Sequence, residues 1–282
     1  MSNKVMVAVD GSEKDGRGLS IGLAMANLLD AAVHLVRVVD AASSHDAERA
    51  LATTVDRLTP KAGRDISAEV LAGTDVSSVL VRRASERDVR VVVMGTRAAS
   101  AAGLALVGSV ADRVLGECPK PVVLVPPGAA DIAGRDVELK RFLVPVDGSP
   151  LAARAVDFLS RMPRLADVQF VILQVLHNAR DVAAQQRRLR RVADRFAAHD
   201  AHAESRVVVA GDVAQTIATA VRTFFVDMIA MSTRGESGLK QLVFGSVAKG
   251  VVRAADVPVL LLTPTMLAAD TSTAREHSGA TR

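Results

Sequence analysis

Two Gly-Ser-Val-Ala segments, Gly108-Ser109-Val110-Ala111 and Gly245-Ser246-Val247-Ala248, each open a stretch with helical periodicity. A helix start leaves backbone N–H groups without intrahelical partners and carries the positive end of the helix dipole. Glycine lets an anion approach that backbone, and a serine hydroxyl can donate to it. Gly108, Ser109 and Val110, with Gly245, Ser246 and Val247, are therefore candidate phosphate cradles. The serines could equally be plain N-caps. Upstream of each cradle, Met94-Gly95-Thr96-Arg97 and Met231-Ser232-Thr233-Arg234-Gly235 leave an apolar run. Small residues there let the chain turn and leave room for a flat ligand. Arg97 and Arg234 could neutralise a phosphate or pair with a carboxylate. Asp10 and Asp147, each within Val-Asp-Gly-Ser, could accept from an exocyclic amine or a ribose hydroxyl, or could close an Asx-turn.

Most of these residues recur at one offset, as do Pro121-Val122 and Pro258-Val259, since 147 − 10, 245 − 108 and 258 − 121 each equal 137. A period of that length is too long for a solenoid unit and matches one small globular domain. Two copies are expected: domain 1 at 1–127, a linker at 128–140, domain 2 at 141–265 and a disordered tail at 266–282. Each domain is long enough to bury a core.

The elements that must hold these residues alternate. In the first half, runs at 5–9, 33–39, 66–71, 91–94 and 122–125 suit strands, the first apolar enough for burial on both faces and the third alternating. Helical patterns fall at 14–29, 45–58 (ended by Pro60 and Gly63), 76–87 and from 109 to before Pro119. In the second half, strands are expected at 142–146, 170–175, 206–209, 227–231 and 259–262. This alternation predicts an α/β fold with a doubly wound parallel sheet in each domain. Ligands of such sheets sit at the carboxyl ends of the strands, and the repeated residues fall there.

Composition narrows the classes. Of 282 residues, 49% are hydrophobic and 23% charged, which suits a globular chain. Aromatics are 2%, with no Trp or Tyr, so the core is expected to be built from Val, Leu, Ile, Ala and Met, and the composition argues against single-stranded nucleic-acid binding through stacked bases. The net charge of +4 is mild, so neither nucleic acid nor membrane is expected as a partner. The densest basic stretch, Arg187-Arg188-Leu189-Arg190-Arg191 followed by Arg195, has Leu189, Val192 and Phe196 at helical spacing. A solvated helix face is the expected role, with a phosphate- or acidic-partner surface as the alternative. Cys118 is the sole cysteine; a buried, inert thiol and a reducing cytoplasm are expected. No signal peptide or membrane span is read from the pattern. His199 and His202 lack a third ligand for a metal. The P-loop, strand-following G-x-G-x-x-G and G-x-S-x-G patterns are absent.

Taken in order, these motifs resemble the universal stress protein family. The opening strand ending in Val-Asp-Gly-Ser is similar to that family's start. Its nucleotide-binding members carry G-x2-G-x9-G-[S/T] after the fourth strand. Here the spacing reads Gly95-x-x-Ala98-x9-Gly108-Ser109 and Ser232-x-x-Gly235-x9-Gly245-Ser246. The closing Pro-Val-Val-Leu-Val at 121–125 and Pro-Val-Leu-Leu-Leu at 258–262 also look like the family. The resemblance implies an adenine-nucleotide α-hydrolase-like sheet of order 3-2-1-4-5 in each domain. It also implies a pseudo-dimer joined through the fifth strands, and ATP, with Mg2+, as ligand. Asp10, Asp147, Val38 and Val175 would lie by the adenine, and the glycine motifs would hold ribose and phosphates. Ala98 replaces a glycine and would be strained if that position needs φ > 0. Ser232 replaces another but stays small. The second domain is therefore expected to bind better. The function implied is that of a cytoplasmic ATP-binding sensor or regulator of stress, possessing no catalytic base for efficient hydrolysis. The alternative is a nucleotide-independent interaction scaffold with vestigial motifs. An unknown protein partner and a homodimer fit either.

Overall fold

The computed structural model describes residues 3–12, 15–98, 105–127, 129, 138–233, 245–263 and 266. The first domain runs β1 (Lys4–Ala8), α1 (Asp15–Leu29), β2 (Ala32–Val39), α2 (Ser44–Ala62), β3 (Ile66–Ala72), α3 (Val76–Ala84) and β4 (Val89–Gly95). Two short strands, β5 (Arg97–Ala98) and β6 (Ala105–Leu106), precede α4 (Ser109–Glu117) and β7 (Val122–Val125). The second domain repeats the plan: β8 (Arg141–Pro145), α5 (Pro150–Ser160), β9 (Gln169–Leu176), α6 (Val182–Ala197) and β10 (His202–Val209). It ends with α7 (Val213–Thr223), β11 (Met228–Ser232), α8 (Ser246–Ala254) and β12 (Val259–Leu262).

Ten strands form one sheet in the order β10-β9-β8-β11-β12-β7-β4-β1-β2-β3. Each half has the order 3-2-1-4-5, all parallel. The halves meet antiparallel through their fifth strands, with Leu260 opposite Val123 and Val259 opposite Leu124. Because 123 + 137 = 260, Val123 faces its own counterpart. The junction is thus the self-complementary contact of a two-fold dimer, made within one chain. It buries both fifth strands and leaves β3 and β10 as the outer edges.

Alternation along the strands feeds two cores. Val5 and Val7 join one apolar cluster with Ile21, Met25, Phe170, Phe196, Val123 and Leu260. Met6 joins the other, with Leu80, Val114, Ile217, Val251, Val122 and Leu261. Both clusters cross the junction, so each face of the sheet is packed continuously through it. Aromatics are few, but Phe170 stacks on Phe196 at 4.3 Å and tilts against Phe142 at 5.6 Å.

Several boundaries differ from expectation. Helix α2 passes through Pro60, which removes one hydrogen bond in the final turn; the helix stops at Gly63, whose φ of 61° makes a left-handed cap. Strand β10 starts at His202 rather than 206, because an edge strand with a solvated face carries His202, Glu204 and Ser205 without apolar signal. Helix α3 ends at Ala84 rather than 87. The tail expected from 266 begins with a buried residue: Met266 is 4% exposed, and its N–H donates to Thr263 Oγ1 at 3.1 Å. Cys118 is buried, and burial pushes its thiol up to about 11, so it stays protonated.

A polar cluster sits beneath the first domain's sheet. His34, 5% exposed, places Nδ1 2.8 Å from Ser67 Oγ and Nε2 3.0 Å from Glu69 Oε2. Arg83 joins Glu69 at 2.9 Å and Asp88 at 3.1 Å, and Lys4 reaches Asp88 at 2.9 Å. Burial works to raise the Asp88 carboxyl, but the Arg83 and Lys4 contacts outweigh it and hold it at about 2. Burial lowers His34 below its ordinary 6.5, and the Glu69 hydrogen bond opposes this only in part. The unfolded chain takes up a proton on His34 near pH 6.5, while the folded chain resists it. Stability contributed by neutral His34 is whole above 6.5 and is lost as pH falls toward the lowered folded value. Melting temperature should therefore drop by about 2–4 °C between about pH 7.5 and about pH 5.5. His34→Gln, which cannot titrate, should flatten that drop in a thermal melt; an unchanged slope would remove His34 as its source.

Candidate functional site

The groups singled out by spacing converge at the carboxyl ends of the strands. Asp10 follows β1, and its Oδ1 accepts from Ser12 N at 2.8 Å; Asp147 follows β8, and its Oδ1 accepts from Ser149 N at 3.0 Å. Both therefore close Asx-turns. The glycines after them, Gly11 and Gly148, have φ of 86° and 87°, a conformation that side chains resist.

Beyond this shared backbone the two loops differ. In the first, the Asp15 carboxylate accepts from Asp10 N at 3.1 Å and Gly11 N at 2.7 Å. Burial raises the Asp15 pKa, against those two hydrogen bonds and the nearby Arg37. The Arg37 guanidinium lies over Gly11, with Cζ 2.5 Å from where a Cβ would stand. In the second, Ala152 replaces Asp15 and Gln174 replaces Arg37. A Cβ on Gly148 would meet nothing within 4 Å. Domain 1 thus covers its own loop with a carboxylate and a guanidinium, whereas among the described residues no equivalent pair stands over Gly148 in domain 2.

The Gly-Ser pairs decide a sharper question. Serine is not the N-cap of either helix. Gly108 caps α4 with φ −67° and ψ 161°, Gly245 caps α8 with φ −69° and ψ 156°, and neither cap involves a side-chain hydrogen bond. Ser109 and Ser246 stand one position inside, exposed. By contrast, α3, α5 and α7 are capped by the side chains of Asp75, Ser149 and Asp212. The first N–H groups of α4 and α8 are therefore open to an external acceptor.

The remaining walls are apolar. Val38 and Val110, and in the other half Val175 and Val247, are half-buried against one hydrophobic cluster. Met94 and Met231 are buried below them. Gly95 is exposed and Ser232 is 7% exposed. Ala98 lies in an extended pairing with Ala105, so alanine carries no left-handed strain there. That two-residue hairpin was not anticipated in the 99–107 loop. Arg97 pairs with Leu106 through its backbone. Its side chain, together with Arg234 and Gly235, lies outside the described residues.

Spacing did not single out Thr233. It is fully buried, its carbonyl accepts from Gly245 N at 2.8 Å, and its Oγ1 has no hydrogen-bond partner among the described residues. Its counterpart Thr96 bonds Val125 O at 3.3 Å. A buried, unpaired hydroxyl beside an uncapped helix start suits a ligand donor or acceptor. The repeat of Thr-Arg after both fourth strands was its only signal in the sequence. Thr233→Val removes an unsatisfied group, so the ligand-free protein should melt at the same temperature or higher. If the cleft takes ATP, affinity measured by calorimetry should fall about tenfold in that variant.

Among the described residues no three His, Cys, Asp or Glu side chains gather as a metal site, and no helix is long and apolar enough to cross a membrane.

Doubly wound halves with matched strand-end clefts, joined edge to edge, define an α/β protein of duplicated single-domain type. The sequence model of the universal stress protein family matches this chain twice, at residues 1–126 and 138–263, and the chain belongs to that family. A curated universal stress protein from Mycolicibacterium smegmatis is 42% identical over 55 residues, which span 20% of this chain and 42% of that relative. A universal stress protein from Archaeoglobus fulgidus has the same fold across the chain, with a TM-score of 0.73 at 20% identity, covering 93% of this chain and 98% of its own. A universal stress protein solved in complex with cAMP aligns with 44% of this chain and 96% of its own, at 25% identity and a TM-score of 0.37.

Proposed function

We propose that this chain is an ATP-binding universal stress protein of the cytoplasm, a sensor or regulator whose principal nucleotide cleft lies in domain 2. The observation that carries the proposal is the glycine N-cap of α8 beside the unpaired Thr233 hydroxyl. A phosphate would meet open N–H groups and the positive end of the helix dipole there, with Ser246 within the same turn. The donor set fits a polyphosphate. Asp147 and Val175 would border the adenine, and any Mg2+ would be held chiefly by the phosphate oxygens. The Asp15–Arg37 cover on the domain 1 loop favours a weaker or structural role for Asp10, Val38, Gly108 and Ser109. Binding without efficient turnover is the activity proposed.

Denaturing the purified protein and identifying released nucleotide by mass spectrometry tests occupancy. Calorimetric titration of ATP, with and without Mg2+, tests affinity. Neither bound nucleotide nor heat at millimolar ATP would overturn the proposal and leave the scaffold alternative.

A further inference from the structure

The duplication allows helix faces in equivalent places to be compared directly. Helix α6 carries five arginines against one carboxylate, Asp194, whereas α2 carries Arg49, Arg57 and Lys61 against Asp46, Glu48 and Asp56. The balance is 5 − 1 = +4 on α6 and 3 − 3 = 0 on α2. The chain's whole excess of charge, +4, equals what sits on one helix. Arg195 pairs with Asp157 at 2.9 Å. Arg187, Arg188, Arg190 and Arg191 are exposed, and none of them forms an ion pair among the described residues. Like charges this close destabilise a helix unless something external neutralises them.

The shape of the face selects the partner. Leu189, Ala193 and Phe196 are buried, so the apolar side of α6 is already used by the core and cannot enter a bilayer. At 3.6 residues per turn, Arg190, Arg187, Arg191 and Arg188 fan across about 160° of the helix. A flat anionic surface reaches only part of such a fan. A groove with phosphates on both walls reaches both flanks, and the major groove of a duplex admits a helix. Helix α6 packs on the outermost strand, β10, and on β9, with α5 alongside. Guanidinium forks suit phosphate oxygens, and the lack of Trp and Tyr disfavours base stacking but not backbone contact.

We propose that α6 is a binding face for the phosphate backbone of duplex nucleic acid, with Arg188 and Arg190 reaching opposite walls of the groove and Arg187 and Arg191 between them. Binding is independent of base sequence. This reverses the expectation drawn from net charge, which averages over the chain what is concentrated on one helix. It does not depend on ATP.

The test is fluorescence anisotropy of a short random-sequence DNA duplex titrated with the full chain. Four neutralised phosphates predict a log–log salt slope of about −3.6. Replacing Arg187, Arg188, Arg190 and Arg191 together by Gln should weaken binding by at least about 30-fold near 50 mM salt and flatten the slope, with melting temperature of the free protein unchanged or raised. Should that variant fail to fold, Arg191→Glu alone must still weaken binding. Arg49→Gln with Arg57→Gln, on α2, must not. Absence of duplex binding by the unmodified chain at that salt overturns the proposal. So does undiminished binding by the α6 variants, or tighter binding to phosphatidylserine vesicles or polyglutamate than to the duplex.

Discussion

Gly245→Val abolishes most ATP binding, while Gly108→Val changes it by no more than about twofold, if domain 2 holds the principal cleft. The substitution is informative because the backbone tolerates it. Gly245 sits at φ −69° and ψ 156°, an extended conformation open to any residue. Glycine is therefore not needed there for the turn. What valine adds is bulk in front of the first N–H groups of α8, where a phosphate would approach. Losing two hydrogen bonds to a charged group removes about 3 kcal/mol, or about a hundredfold in affinity. Glycine is only a moderate N-cap, so helix stability should change by about 1 kcal/mol at most. Calorimetry on both variants, with a thermal melt beside it, separates lost binding from lost fold. Equal losses at the two positions would show that the clefts share the nucleotide. A larger loss at Gly108 would reverse the proposed asymmetry.

Leu260→Asp should be the more damaging change to the fold. Leu260 is fully buried, faces Val123 across the two-fold junction and joins the apolar cluster that runs through it. An aspartate there would be stripped of water with no cation opposite. The penalty for one uncompensated buried charge is several kcal/mol, and the lost leucine contacts add about 2–5 kcal/mol. Urea denaturation should show a loss of more than about 4 kcal/mol, or unfolding of the junction ahead of the rest. Val209→Asp, at the exposed end of edge strand β10, should stay within about 0.5 kcal/mol. If both substitutions were mild, the β7–β12 pairing would not be a stability-bearing contact.

These two expectations depend on different kinds of information. The strands around Leu260 were legible because central parallel strands are buried on both faces. Val91-Val92-Val93-Met94 and Val259-Leu260-Leu261-Leu262 therefore read as unbroken apolar runs. Strand β10 was half missed because it has a neighbour on only one side and can carry polar residues. His34 shows the opposite failure. A histidine in an apolar run gives no hint that Ser67 and Glu69, on the next strand, will satisfy both its nitrogens. In the second copy, the equivalent positions are Val171, Glu204 and Arg206, and Glu204 pairs instead with Arg141 and Arg206.

Order along the chain was enough to establish the duplication, the strand–helix alternation and the placing of Asp10, Gly95, Gly108 and their counterparts at strand ends. Each of these follows from short-range spacing, and periodicity is a local property. Three features are decided only by the folded backbone and its contacts. One is the antiparallel pairing of Val123 with Leu260, which turns two domains into one sheet. Another is the choice of Gly rather than Ser as the cap of α4 and α8, which depends on backbone dihedrals that serine and glycine both permit. The last is the Asp15–Arg37 cover over Gly11, which requires β2 to lie beside β1. The clefts share a plan by sequence but differ at Asp15/Ala152 and Arg37/Gln174, and only the fold shows that the first pair lies across Gly11, because what a substituted side chain covers is set by the strands it packs between.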